Sequence, residues 1–596
     1  MQPTRRPGLW ACLTAAAVMV TGCGGLAAES SVQPGLRVDA GGPPAGRVLY
    51  PGPVNGMTQE QIVRGFVRAG AASDGDYRNA RLFLAGGPQK SWRPDAAIIV
   101  FSDFAALTTT LVDDTTVRLH AEAVATIDSS GHYTQLPPGT VVDTTMRMVQ
   151  DRGQWRVNSL NENFGRWLSA ADLQRLYRPY NVYYLAGSGN RRLVPDVRWF
   201  ALDRLATRLA RAQLEPVPDY LDAAAKSAIP SGARLTVDAV PVEGGVASVD
   251  LTTPQLDSEP ATRQNIWAQF VATLTQAPEV QRVALTVEGA ELMPGFSQPP
   301  ATVEDLGFPT IPEPEHAKPL LRRSNGRVIT IESSALLDPS TEGPTGTATS
   351  YPVLPSGWVG MAESLTGLEI AAVSGDRSQL ARWRGADRIA VPPFAGGLSR
   401  PAYDRHDMLW VGGIGSGRYA AIRVWAINAA ADPSDRQNSA PRPIPADWLR
   451  RRVVASLKVS ADGQRIAVLS TNASGGDPHV DISGIVRAPN GIPERLSGHL
   501  RVGATLTMAR DVVWVDAVTV AILGRVSPRD PVKPYIVPLG GPMDESLDPV
   551  AGAVTLTTTG GPRGLVVTTD KGSIVVRAGR RWVELGQGLD LAVAGV

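Results

Sequence analysis

With 596 residues the chain exceeds what one hydrophobic core organises, and at roughly 150 residues per domain it calls for three or four domains. Its 43% hydrophobic and 19% charged residues exclude wholesale disorder, and a net charge of +1 with no basic stripe beyond the N-terminus leaves no footprint for nucleic acid. Glycine (60) and proline (48) are abundant, which favours turns and β-structure over helical bundles.

Arg5 and Arg6 precede an apolar run, Leu9 to Val20, of about a dozen residues, too short to span a bilayer as a helix and suited to a signal h-region. The run leads into Val20-Thr21-Gly22-Cys23. This resembles the lipobox of bacterial lipoproteins: an aliphatic residue, two small ones that fit a narrow peptidase groove, and a cysteine whose thiol takes the diacylglyceryl group. The resemblance implies a signal peptide over 1–22 and a lipidated, palmitate-bearing Cys23 that holds the protein on the extracytoplasmic face of the cell membrane. Cys12 lies inside the h-region, so cleavage leaves Cys23 alone and no intramolecular disulfide forms in the mature chain. Residues 23–50 are small, polar and rich in Gly and Pro, the composition of a flexible tether.

Residues 51–178 read as an α+β unit. Thr58-Gln59-Glu60-Gln61 is a capping-box start followed by Ile62, Phe66, Val67 and Ala69 at helical spacing. A second helix is expected over 77–85, then strands over 97–101, 117–127, 141–149 and 155–160, with turns at Ser129-Ser130-Gly131 and Asp151-Arg152-Gly153. Helices followed by a curved antiparallel sheet resemble the NTF2-like or cystatin-like cone folds.

Residues 179–296 begin with the strand Val182-Tyr183-Tyr184-Leu185, a basic loop and a helix expected from Trp199 to Ala212. There follow a turn at Pro230-Ser231-Gly232, a returning strand through Val246 and Val249-Asp250-Leu251, and a helix whose Ile266, Phe270, Val271 and Leu274 share one face. A run from Val280 through Val287-Glu288-Gly289 completes the unit. As a set these pieces resemble the GerMN domain, an α+β module of spore-germination proteins and Gram-positive lipoproteins. Residues 297–324, with Pro299, Pro300, Pro309, Pro312, Pro314 and Pro319, read as a stiff linker.

From 325 to 596 helical periodicity disappears and short β-rich runs recur every 40–60 residues or so, near the repeat of four-stranded propeller blades. Leu457 to Val468 looks like the S-x-D-G-x-x-I-A hairpin common in bacterial propellers, with Asp462-Gly463 expected to form a type I′ turn. Five to seven blades fit the length, with Trp383, Trp410, Trp425, Trp514 and Trp582 as filler between them. The three parts behind a lipobox are similar to the actinobacterial lipoprotein LpqB family, which carries an N-terminal α+β region, a GerMN domain and a C-terminal β-propeller. The resemblance implies association with the extracytoplasmic domain of a two-component sensor kinase of the MtrAB type, and a role in envelope homeostasis and division.

The sequence carries no recognisable catalytic residue, metal site or cofactor motif. None of the six histidines forms HExxH or a zinc-finger spacing. His406, between Asp404 and Asp407, reads as a solvated loop residue, and Gly413-Ile414-Gly415-Ser416-Gly417 as a propeller turn, since no helix follows to present amides to a phosphate. Asp250 and Asp257 form no pair that sequence can define, and Asp477-Pro478-His479-Val480-Asp481 reads as a hydrophilic blade loop. Three functions stay open: an accessory interaction protein, a binding module for cell-wall polymer or envelope ligands, and an envelope hydrolase.

Overall fold

The capping box at Thr58 forms as the sequence dictates. Its hydroxyl accepts the Gln61 N–H, and the Gln61 side chain accepts the Thr58 N–H, opening helix α1 (Gln59–Ala69). The computed structural model describes residues 50–595 except 73, 190, 256–258, 294, 296–299, 310–317, 338–345, 544 and 580. The signal peptide, Cys23, the tether up to 49, Asp257, Pro299, Pro312 and Pro314 lie outside the described residues.

The second helix, α2 (Asp74–Arg81), stops short of the expected 85 because Phe83 and Leu84 turn into the core, where Leu84 bridges to Val157. A short α3 (Gly87–Ser91) follows. The sheet then runs through β1 (Ile98–Phe101), β2 (Thr108–Asp113), β3 (Thr116–Ile127), β4 (Tyr133–Gln135), β5 (Val141–Asp151), β6 (Gln154–Ser159) and β7 (Arg166–Ser169), in the order β6-β5-β3-β1-β7. Strand β3 organises it. Val117, Leu119, Ala121, Ala123, Ala125 and Ile127 alternate inward, and the long strand pairs with β2 and β5 along its first half and with β1 and β4 along its second. Ile62, Val63, Phe66 and Val67 of α1 pack on this face with Met146, Met148 and Trp167.

Helix α4 (Ala170–Leu176), capped by Ser169, leads into the hairpin of β8 (Tyr177–Ala186) and β9 (Leu193–Ala201). Trp199 to Ala201 is therefore strand, and the helix expected from Trp199 is the shorter α5 (Leu205–Gln213). Eight of the nine β9 residues are buried, so the strand is covered on both faces and shows none of the inside–outside alternation that marks an exposed sheet. Helix α6 (Pro260–Leu274) buries Ile266, Phe270, Val271 and Leu274 and crosses between two parallel strands, Val246–Thr252 and Arg282–Val287. Glu288 and Gly289, both at positive φ, turn the latter strand into Ala290–Glu291.

The stretch read as a linker is partly structural. Leu306 and Phe308 are buried in the same core as α6, and Leu320–Arg322 is already a blade strand. The propeller thus begins before residue 325, because its first strand is needed to receive the last. Leu320, Leu321 and Arg322 pair with Ala592, Leu591 and Asp590, so the chain end supplies the innermost strand of the first blade. The described residues form six blades: Leu320–Ala348 with 590–592, Trp358–Ala390, Ala402–Ile444, Val453–Val502, Met508–Ser546 and Ala553–Gln587. Apolar layers fill the gaps between successive blades. Trp383, Trp410, Trp425 and Trp514 are buried in them, and Trp582 packs at the edge of the last. In the Leu457–Val468 hairpin only Gly463 takes positive φ, and its N–H bonds to the Ser460 carbonyl. The turn is therefore not type I′. A left-handed glycine follows it instead, because the Asp462 side chain is drawn back to Ser460 and Arg465.

Candidate functional site

Strand β9 is where the three domains meet, and the period of two along it sorts the contacts. Val197 and Trp199 reach the propeller: the indole N–H of Trp199 donates to the Gly540 carbonyl while its ring packs on Tyr133 of the N-terminal domain, and Val197 lies against Gly540 closely enough that no side chain fits there. Asp196 and Arg198 form a buried polar cluster on the other side. The Asp196 carboxylate accepts from Arg198 Nε at 2.7 Å, from the Tyr220 hydroxyl at 2.9 Å and from His132 Nε2 at 3.0 Å. Arg198 also donates to Glu215 at 2.5 Å and to the Tyr184 hydroxyl at 2.7 Å.

His132 comes from the N-terminal domain, in the turn entered through Ser129-Ser130-Gly131. Gly131, at φ +92°, brings its carbonyl to the Trp199 N–H at 2.8 Å, and a Cβ there would meet the Trp199 carbonyl at 3.0 Å. Burial alone would lower the imidazole pKa, but hydrogen bonds to Asp128 and Asp196 outweigh it and raise it from 6.5 to about 9. Burial likewise pushes Asp196 up, and the charges of Arg198 and His132 overcome that and hold it below the usual carboxylate range. At neutral pH the junction is therefore a closed set of paired charges.

Beside it, a cavity of about 190 Å³ is lined by Arg166, Tyr177, Trp199, Arg208, Arg211 and Glu215. Arg166 is buried and donates to Asp95 at 2.7 Å, while its Nη1 and the Tyr177 hydroxyl have no hydrogen-bond partner among the described residues. Arg208 is paired with Asp203 and Arg211 with Asp238, so the pocket holds no surplus of positive charge for an anion.

At the propeller hub the innermost strands bring Glu363, Lys458 and Asp511 together. Asp511 accepts from Ser456 Oγ at 2.6 Å and from the Leu556 N–H at 2.9 Å. Burial lowers the Lys458 pKa and pushes Glu363 up to about 8. The space between them is about 30 Å³, room for a water molecule and too small for a sugar or a peptide side chain. Buried acid–arginine pairs staple the surrounding blades: Asp590–Arg322 at 3.0 Å, Glu369–Arg382 at 2.6 Å and Asp404–Arg487 at 2.6 Å.

Two larger grooves flank the central domain. One of about 590 Å³ runs along Ala206, Val237, Val240 and Val242 and has no aromatic lining. The other, of about 580 Å³, lies between Tyr183, Val271, Phe308 and the blade residues Ala517 and Val518. Phe308 is buried, so neither groove offers a row of exposed rings on which a glycan stacks.

The residues singled out in the sequence take structural places. His406 is not solvated but half-buried against Gly463 of the next blade. Burial and Arg487 lower its pKa, and Asp404 beside it is committed to Arg487 and the Trp410 indole. Asp250 accepts from Thr286 Oγ1 and the Gly289 N–H, fastening the 287–290 turn. Asp477 bonds to Arg452 at 2.7 Å. Asp481 sits in a buried strand and bonds to Arg501 at 2.5 Å, so the Asp477–Asp481 stretch is only partly loop. Ile414–Gly415 pairs with Ala395–Gly396 as a small ribbon. Among the described residues no three His, Cys, Asp or Glu side chains converge to hold a metal ion. Sequence reasoning missed Asp196, Arg198 and His132. The one local signal was an Asp-x-Arg alternation inside an otherwise apolar strand.

Residues 52–174 match the model of the lipoprotein LpqB N-terminal domain, residues 181–293 that of a sporulation and spore germination domain, and residues 345–592 that of the lipoprotein LpqB beta-propeller domain. Lipoprotein LpqB of Thermobifida fusca is 25% identical, over 85% of this chain and 85% of its own. Lipoprotein LpqB of Cutibacterium acnes is 26% identical, over 98% of this chain and 99% of its own. Among solved structures, the tandem GerMN domains of the sporulation protein GerM from Bacillus subtilis match 21% of this chain and 43% of that chain at 16% identity, with a TM-score of 0.16.

Proposed function

Because the chain belongs to the LpqB family of lipoproteins, we propose that it is a lipid-anchored extracytoplasmic interaction protein, the accessory partner of a two-component sensor kinase of the MtrAB type in envelope homeostasis and division. Cys23 carries the anchor. No described helix is long and apolar enough to cross a membrane. Two or more acyl chains at about 0.8 kcal/mol per buried methylene hold a protein stably at the bilayer, and confinement there lets a modest affinity for a membrane partner suffice.

The observation that carries this reading is one apolar core running without interruption from α5 and α6 into the fourth and fifth blades, through residues such as Phe270, Leu469, Val520 and Val537. Such a core fixes the central domain to the propeller as a rigid body, which suits a surface that must be read by a partner. The enclosed hub and the charge-balanced junction cavity supply neither a substrate pocket nor a reacting constellation. Cross-linking of the intact lipidated protein in cells, with the trapped species identified, tests it. A sensor-kinase ectodomain is the expected product. Glycan fragments without any protein partner would instead favour cell-wall binding.

A further inference from the structure

In an antiparallel four-stranded blade, the loops joining the second to the third strand, and one blade to the next, lie at one end of the ring, and the remaining hairpins lie at the other. The central domain meets the hairpin end: Ser188 approaches Gln464, Pro195 accepts from Arg465, and Ala517 and Val518 wall the groove beside Tyr183. Among the described residues no contact of the central domain reaches the opposite end. Its loops over the first four blades (323–327, 349–357, 375–379, 391–401, 413–423, 445–452 and 472–478) hold nine arginines against three aspartates. The corresponding loops of the last two blades balance Arg529 and Lys571 against Asp530, Asp548 and Asp570. In a chain of net charge +1 this is a one-sided concentration.

The three aspartates offset only part of it. Asp447 pairs with Arg450, Asp477 with Arg452, and Asp376 is taken up by Ser374 and Ser378. Arg327, Arg377, Arg418 and Arg451 are exposed and have no carboxylate partner among the described residues; Arg418 rests on the ring of Tyr419. At the same end, exposed aliphatic side chains lie close to the hub. Val359 opens the innermost strand of the second blade, Leu589 immediately precedes that of the first, and Val353 sits in the loop between those blades; they are 37%, 38% and 57% exposed. Apolar groups near the axis inside a broken ring of arginines is the layout of a protein–protein interface, with an apolar centre and a polar rim enriched in arginine.

We infer that this end of the propeller, on the side of the first four blades, is the docking surface for a convex, acidic element of a partner protein's extracytoplasmic domain. The inference rests on the proposed function and specifies which surface performs it. Charge complementarity sets the chemistry of the partner, and the central position of the aliphatic side chains sets its shape. Opposed charge steers association, so complex formation weakens with salt on the scale of the Debye length, about 10 Å at 0.1 M.

A photo-cross-linking amino acid placed at Val353 or Ile414 in the full lipidated chain, in cells, tests this, with Val141 and Val237 as positions away from the surface. The expected result is a protein adduct from Val353 and Ile414 whose cross-linked peptide maps to an acidic segment. Its yield should fall at least tenfold in the Arg327→Glu/Arg377→Glu/Arg418→Glu chain and hold in the Arg529→Glu/Lys571→Glu chain. Protein adducts only from Val141 or Val237, or adducts from Val353 indifferent to charge reversal, would overturn the surface while leaving the proposed function standing. Absence of protein adducts at all four positions would sink both. If the purified chain instead binds phosphatidylglycerol vesicles through these arginines and gives no protein adduct at Val353, the surface is a membrane contact and the inference is wrong.

Discussion

Raising the pH through 9 should loosen the N-terminal domain from the rest of the molecule. His132 is the reason: its imidazole is raised from 6.5 to about 9 in the folded state by Asp128 and Asp196, against the opposing effect of burial. A cation favoured in the native state adds stability that is fully present below the unfolded pKa of 6.5 and is lost as pH rises through the folded value. The difference between 6.5 and about 9, at 1.36 kcal/mol per unit, amounts to about 3 kcal/mol, and the His132 side chain is only 16% exposed, so solvent screening takes little of it away. Loss of the charge leaves one ring N–H for two carboxylates, so the imidazole can keep its bond to Asp128 or to Asp196 but not both, and its unprotonated nitrogen faces the other acid. Hydrogen exchange of peptides covering 128–133 and 193–201, corrected for the intrinsic effect of base, reads this locally. Protection should fall between pH 6.5 and about 9.5. In His132→Gln it should be low at every pH and show no such step. A parent protein whose junction protection stays flat across that interval, or a His132→Gln chain that keeps the step, would refute the reasoning.

Glu363 should behave as a separate titration in the propeller. Burial raises its folded pKa to about 8, so ionisation costs stability as pH climbs from its usual range through 8, and Glu363→Gln should raise the propeller's melting temperature at pH 9 with little effect at pH 4.5. Asp590→Ala removes the partner of a buried Arg322 at the closing strand and should cost about 3–5 kcal/mol in chemical denaturation, more than truncating an exposed pair such as Asp447–Arg450. Gly540→Val places a side chain within 2.7 Å of Val197; overpacking of this kind costs about 1–3 kcal/mol and should appear as faster proteolysis between the central domain and the propeller. Cys23→Ser should abolish lipid labelling and leave the protein unprocessed or free of the membrane, which fractionation and metabolic acyl labelling would read.

The parts that were legible in the sequence are those whose instructions are local. Thr58 and Gln61 make a capping box because both partners lie within one helical turn, and Ile266, Phe270 and Leu274 mark α6 by their spacing of four, although the structure buries that half of the helix on nearly every side. Strand β9 was misjudged for the converse reason. It is covered from both sides, so its pattern is continuous, and the two charged residues that would ordinarily signal an exposed face, Asp196 and Arg198, are buried with partners drawn from positions 132, 184, 215 and 220. The blade number escaped for the same cause on a longer scale. Individual hairpins such as Arg465–Thr471 against Val453–Val459 announce themselves, but the sixth blade interface and the ring closure exist only because Leu591 finds Leu321 across the whole domain.

The same division governs where function is written. Buried polar residues with distant partners hold the molecule together: Asp196 and His132 tie domain to domain, while Asp404, His406 and Asp481, which looked reactive in isolation, pack within and between propeller blades. The arginines left over are exposed in loops whose common end is invisible until the ring is closed. A binding surface assembled from separate blades leaves no motif in the sequence. It appears only as an imbalance of charge once the strands decide which loops stand side by side.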